Sequence, residues 1–459
     1  MAGNYMIKKM LMLVGIVLLL PHCAVRKSKP PRKFTEIQEQ TKLDLGHEVN
    51  WQETVHSPLT DELLDQLAQG ISSDDAARIA LLNNASLQAK FEDLGIAKAD
   101  LMKAGVYSNP AFNGLFWLPL QGAPNNQSGI EANFYWTISE LWQVPLRKKV
   151  AQDQLEIITQ EIMQTILETY SSAKKAYIDC LFTNAQIDNA QKVSDQSGIY
   201  YNDINYRQEF GFSSEFSIDT ATIMTTQFET ELIRSKAEQR NALIALQTLF
   251  ALDPNPISIQ FTEQLSYTPI TLPDITTLEQ LALEHRKELI IAHLKVQQAE
   301  HKLRLEKGRI FDQVQGGFTI LKNFDGTRGI GPAVNVQIPI FNFNYASIEH
   351  AHAQIDKAKK DEQAIKRNVL QQLHMAFNTI TALAQEIELY KRMFPAYENA
   401  MKYARHYNKT MQLNELVYIQ THMDYYNAKK KLLDAYRKVA QACVDLELAI
   451  GKPLTELTC

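Results

Sequence analysis

The stretch "IPIFNFNYASIEHAHAQI" (Ile338–Ile355) changes character at its middle, from an apolar, aromatic run suited to a strand to an Ala-rich run with helical spacing. No cluster of turn formers separates the two. Earlier in the chain "TISELWQVPLRKKVAQDQLEI" (Thr137–Ile157) makes the same passage, with Thr137–Trp142 reading as strand and Arg147 onward as helix. A junction met twice calls for a search for internal repetition, because a missed repeat mis-assigns a whole fold.

Two copies of one unit emerge, residues 72–254 and 276–453, joined by an inter-repeat linker at 255–275. Each opens with an amphipathic helical pattern in which Ala80-Leu81 matches Ala282-Leu283, Leu87 matches Leu289 and Ala97 matches Ala299. Each then crosses a strand pair. In the first copy the pair is Asn109–Leu118 and Gly129–Trp142, separated by the turn formers of "PLQGAPNNQSG". In the second it is Gln313–Lys322 and Gly329–Phe341, separated by "NFDGTRG", whose Asp-Gly is a hairpin signal. Period-two patterning shows in "ANFYWTI" and "AVNVQIPI", over the length a tilted strand needs to cross hydrocarbon. An ordinary soluble hairpin is the other reading of the same patterning.

Between Pro145 and Pro254 there is no proline, and glycine occurs only at Gly198 and Gly211; from Gly331 to Gly451 no glycine intervenes, and after Pro339 only Pro395 interrupts. Such stretches favour very long helices. Leu155, Ile158, Ile162, Ile166, Thr169, Ala173 and Ala176 recur near the 3.5-residue spacing of coiled coils, and the small ones let helices approach closely. Each long segment breaks once, at "EFGFSSEF" (Glu209–Phe216) and "KTMQLNEL" (Lys409–Leu416), so each copy folds back as a helical hairpin.

Lys8 and Lys9 precede the apolar run Met10–Leu20, which reads as a secretory signal over residues 1–22. Residues 23–71 follow as an N-terminal linker and 454–459 as a tail. No later stretch is apolar enough for a transmembrane helix, so membrane insertion would have to use β-structure. Cys23 directly after the apolar run is a candidate lipid-attachment site, although Pro21 and His22 stand where lipoprotein signals carry small residues; ordinary cleavage nearby is the alternative.

In order and twice over, these features resemble the TolC family of bacterial outer-membrane efflux proteins. "SNPAF" (Ser108–Phe112) is similar to that family's first hairpin start, "IPIFNFNYASIEHAHAQI" to its second strand-to-helix junction, "FGFSSEF" to its tip turn, and "YYNAKKKLLDAYRKVAQACVDLELAIGKP" to its closing helix. The resemblance implies a mainly helical fold with a small β part. Four strands per chain would complete a 12-stranded trimeric barrel continuous with a periplasmic helical tunnel. It implies a homotrimer, outer-membrane lipid as surroundings, and an inner-membrane pump and periplasmic adaptor as partners in efflux or type I secretion. The tip turns, with Gly211, Ser214, Glu215, Asp219, Asn414 and Glu415, would form the gate. The family often carries aspartates beyond the tip turn; here Ser217, Val417 and Gln420 stand at those places, with Glu215, Asp219 and Glu415 nearby as gating acids or simply solvated ones.

The remaining patterns carry less. With 22% charged residues and a net charge of −5, the composition does not suggest nucleic-acid binding. His285, His293, His301, His350 and His352 lack the spacing of a metal site, and no nucleophile elbow, phosphate loop or dinucleotide fingerprint occurs; no enzyme, metal or cofactor is expected. Phe116, Trp117, Phe134, Tyr135, Trp136, Phe341 and Phe343 fit either aromatic girdles at membrane interfaces or hairpin packing. An exported coiled-coil scaffold without a pore is the rival to the channel.

Overall fold

The computed structural model describes residues 32–52, 61–118, 127–255, 257–269, 271–409 and 415–452. The signal, Cys23, Asn414 and the C-terminal tail therefore lie outside the described residues. Among the described residues, ten helices and four strands follow one another: α1 (Arg32–Leu45), α2 (Asp61–Gln69), α3 (Ser73–Asn83), α4 (Ala85–Ala104), β1 (Ala111–Trp117), β2 (Gly129–Thr137), α5 (Glu140–Glu209) and α6 (Glu215–Leu249). The second series is α7 (Ile275–His285), α8 (Lys287–Gly308), β3 (Val314–Lys322), β4 (Arg328–Val336), α9 (Tyr345–Lys409) and α10 (Glu415–Ile450).

The repetition is visible in the elements themselves. Ser73 corresponds to Ile275 and Ala85 to Lys287 by one constant shift, and the caps Asn84 and Arg286 correspond as well. Asn84 Nδ2 donates to the Leu249 carbonyl at 3.3 Å, and the Arg286 guanidinium donates to the Leu448 carbonyl, so each cap ties the start of its copy to the end. At those ends Phe250 and Ile450 are fully buried, followed by Ala251 and Gly451, both with left-handed backbones (φ 56° and 79°).

At 70 residues, α5 is about 105 Å long at 1.5 Å per residue. It packs against α4 and α8 in the half nearest the sheet and against α6 and α10 in the far half. The helices thus stand in two rows, α4–α5–α8–α9 above and α6–α5–α10–α9 below. The coiled-coil stripe lies in the core, with Ile162, Ile166 and Ala173 almost wholly buried and Leu155, Ile158 and Ala176 packed beside them. Residues 23–71, expected as a linker, contain α1 and α2: Phe34, Ile37 and Leu67 enter the main core, and Phe34 meets Phe91 edge-on at 5.1 Å between centroids.

Both strand-to-helix junctions differ from expectation. In the first, β2 ends at Thr137 and α5 begins at Glu140, so Leu141 and Trp142 are helical. Pro145 lies in the second turn of α5, where its missing N–H removes a single i→i−4 bond, the one to the Leu141 carbonyl. In the second, β4 ends at Val336 and an irregular segment, 337–344, precedes α9. Pro339 cannot donate to a ladder, and Asn344 turns the chain with φ 60°, its Nδ2 bonded to the Glu306 carbonyl at 2.8 Å. The loop-free passage therefore holds only for the first copy.

Candidate functional site

The four strands form one antiparallel sheet in the order β1-β2-β3-β4, so the two hairpins meet through β2 and β3. The register sorts residues by parity, because directly opposed residues point to the same face. Phe112, Phe134, Phe318 and Pro332 lie in one cross-strand row, and Gly114, Ala132, Ile320 and Ile330 in the next. Even-numbered positions make this face apolar, with Phe116, Ile130, Trp136, Val314, Val334 and Val336 extending it. Its aromatic ladder is continuous: Phe112 to Phe134 and Phe134 to Phe318 are each 4.9 Å between centroids. The face is unusually bare, with Phe112 64% and Ile330 74% exposed.

The odd face is mostly polar or small, with Leu115, Trp117, Tyr135 and Leu321 as its large side chains. Thr319 Oγ1 donates to Asn133 Oδ1 at 2.6 Å, Asn133 Nδ2 to Glu131 at 3.0 Å, and Asn335 Nδ2 to Gln315 at 3.2 Å. Glu131 is the only charged residue on this face. The close approach of β2 and β3 depends on Gly317, where a Cβ would fall 1.7 Å from the Phe134 carbonyl oxygen. The aromatic set singled out in sequence divides between the faces: Phe116, Phe134 and Trp136 lie on the apolar side, Trp117 and Tyr135 on the polar one.

At the opposite end of the molecule, α5 turns into α6 through Phe210–Ser214. Gly211 supplies the left-handed step (φ 75°), and the Phe212 N–H closes the helix end on the Arg207 carbonyl at 2.8 Å. Ser214 caps α6 by accepting from the Ser217 N–H at 3.2 Å. Glu215 and Asp219 are exposed one turn apart on α6, so they share a face. The structure thus gathers Gly211, Ser214, Glu215 and Asp219 in one turn; Glu415 begins α10.

Sequence reasoning missed the polar core behind this tip. His422 of α10 is 5% exposed and lies against the Tyr418 ring, 4.3 Å between centroids. Its Nε2 has no hydrogen-bond partner among the described residues. Burial and the nearby Arg405 charge pull the imidazole down to about 4. Asn189 Nδ2 and Gln186 Oε1 of α5 are likewise buried without a partner among the described residues. A cavity of about 660 Å³ adjoins them, lined by Asp188, Lys192, Lys402 and Arg405 among others. No sequence signal marks His422, because its burial comes from three helices that only the fold brings together.

The other candidates fall apart. His350 and His352 are exposed on α9, whereas His301 pairs with buried Asp153 across α8 and α5. Among the described residues no group of three or more His, Cys, Asp or Glu is placed to hold a metal, and no helix is long and apolar enough to cross a membrane.

A two-faced sheet carried on a shaft of very long helices is the architecture also seen in solved outer-membrane channels. Residues 278–452 match the outer membrane efflux protein family, and over most of its length the chain has the fold of solved outer-membrane channels. The outer membrane channel CmeC of Campylobacter jejuni is similar at a TM-score of 0.68 and 16% identity, over 90% of this chain and 91% of that one. The outer membrane protein VceC of Vibrio cholerae matches at 0.68 and 15%, over 84% and 97%. The open state of the MtrE outer membrane channel of Neisseria gonorrhoeae matches at 0.68 and 16%, over 83% and 89%. No curated protein matches the chain by sequence.

Proposed function

We propose that the protein is a passive outer-membrane exit duct, a homotrimer whose chains pool their strands into a 12-stranded barrel above a helical tunnel. Substrate would arrive from an inner-membrane pump through a periplasmic adaptor. The observation that carries this reading is the parity of the sheet: one face bears aliphatic and aromatic side chains suited to lipid, the other concentrates the polar ones, Asn113, Glu131, Asn133, Gln315, Thr319 and Asn335, suited to a water-filled bore, with β1 and β4 left as open edges. An open edge in hydrocarbon costs several kcal/mol for each unpaired backbone group, so the edges must find partners.

The internal repeat indicates which partners. Within one chain, the second strand of the first copy pairs with the first strand of the second, and α5 packs on α8 and α10. Repeating the same contact between chains joins β4 to the neighbour's β1 and α9 to its α4 and α6. Such head-to-tail contacts close into a ring when the rotation allows it. Apolar side chains left bare in the single chain fit this arrangement: Ile338, Ile340, Phe341 and Phe343 on one edge, Met102 and Val106 on the other. Three-fold repetition would also gather the Glu215 and Asp219 pairs around the tunnel mouth, where their mutual repulsion and the turns at Gly211 and Ser214 would set the gate.

Purified protein in planar bilayers tests the reading. Single-channel conductance steps from an oligomeric species support it; a protein recovered in the soluble periplasmic fraction, with no conductance, supports the scaffold alternative.

A further inference from the structure

Lys322 and Arg328 are directly opposed across β3 and β4, at the hairpin end of the sheet. Like charges facing each other across strands destabilise a sheet unless something sits between them. Neither forms an ion pair with any described residue, and the nearest hairpin acid, Asp325, is occupied by the Thr327 N–H at 2.9 Å and its hydroxyl at 2.6 Å. The other hairpin loop offers no remedy, since residues 118–128 contain no acid. Both cations lie on the even, apolar face, which bears no carboxylate on any of the four strands.

Their height on that face is informative. Successive same-face rows are two residues apart, about 7 Å along a strand. From the Val314–Val336 row to the Lys322–Arg328 row there are four steps, roughly 27 Å, or about 20 Å along the membrane normal at the usual strand tilt. Four apolar rows therefore fill most of a hydrocarbon band, and the fifth, cationic row reaches its outer border, flanked by Phe116 and Ile130. A pair of cations at mid-depth would be costly; at the border it meets headgroups.

We propose that Lys322 and Arg328 form a clamp for the phosphate of an outer-leaflet lipid headgroup, which neutralises the opposed charges and fixes the barrel at its depth. This rests on the reading of the sheet as a membrane barrel. The Arg fork and the Lys ammonium supply the charge-assisted donors that a phosphate monoester accepts, while the adjoining apolar rows receive the acyl chains.

The test compares the intact oligomer with its Lys322→Gln/Arg328→Gln variant, measuring retention of bis-phosphorylated lipid A, dephosphorylated lipid A and inorganic phosphate by native mass spectrometry. Wild type should bind the phosphorylated lipid about 25-fold more tightly than the double variant, on the order expected for two cations at a membrane surface. It should show no such preference for the dephosphorylated lipid and no retention of inorganic phosphate. Equal binding of the phosphorylated lipid by both proteins overturns the clamp, and retention of inorganic phosphate by wild type overturns its assignment to a lipid. The variant's conductance separates the two levels: a variant that still forms pores while losing the lipid supports the clamp, whereas absence of pores in wild type refutes the barrel reading itself.

Discussion

At the scale of single residues, His422 is the group whose chemistry the fold has altered most. Buried between α5, α9 and α10, its imidazole faces Arg405 and Lys402 of α9, Lys192 and Asp188 of α5, and Tyr418 of its own helix. Burial comes first among the causes that lower it to about 4 from the model-peptide value of 6.5, and Arg405 second. The folded form therefore resists a proton that the unfolded form accepts. Stability is unaffected above pH 6.5, falls as pH drops from 6.5 towards 4, and loses about 3 kcal/mol per chain in all. Hydrogen exchange in the far half of α10 should accelerate over that window, and His422→Leu should abolish the dependence; a variant with the same acid sensitivity as wild type would contradict this account.

Among the elements, helix ends and strand pairs carry the sharpest consequences. Ala251 occupies a left-handed position (φ 56°) where the second copy has Gly451. The Cβ is strained there, so Ala251→Gly should stabilise the first copy by about 1 kcal/mol, offset in part by the entropy of glycine in the unfolded chain. A rise in thermal midpoint checks it. Gly317 has the opposite constraint: its missing side chain lets β3 approach the Phe134 carbonyl. Gly317→Ala should separate β2 from β3 and so uncouple the two hairpins, lowering the yield of folded oligomer while the helical circular dichroism signal persists. Normal yield of Gly317→Ala would mean that the strands do not meet as closely as described.

At the scale of the whole molecule, the lone chain leaves apolar surface on both flanks, and Phe341 is 99% exposed. In the proposed ring that side chain is covered by the next chain. Phe341→Asp would then bury an unpaired charge at each junction, at a cost of several kcal/mol. The variant should run as a helical monomer in size-exclusion chromatography with light scattering, where wild type should run as the proposed trimer. An unchanged oligomer would place Phe341 outside the interface.

Much of this protein was legible before folding. The helical pattern shared by the two copies, the two hairpins and the coiled-coil stripe of α5 all follow from local spacing, because hydrophobic periodicity and the placement of Gly and Pro act over neighbouring residues. The tip turn was legible for the same reason: Gly211 and Ser214 do their work through the backbone on either side of them. Strand ends were less so, since Trp142 and Phe341 carry strand-like side chains yet sit in a helix and an irregular segment that long-range contacts impose. The two faces of the sheet, the opposition of Lys322 to Arg328 and the burial of His422 depend on register and on helices distant in sequence. Those were decided by tertiary structure alone, because a side chain's neighbours across strands and helices are set by packing of the whole chain rather than by its own spacing.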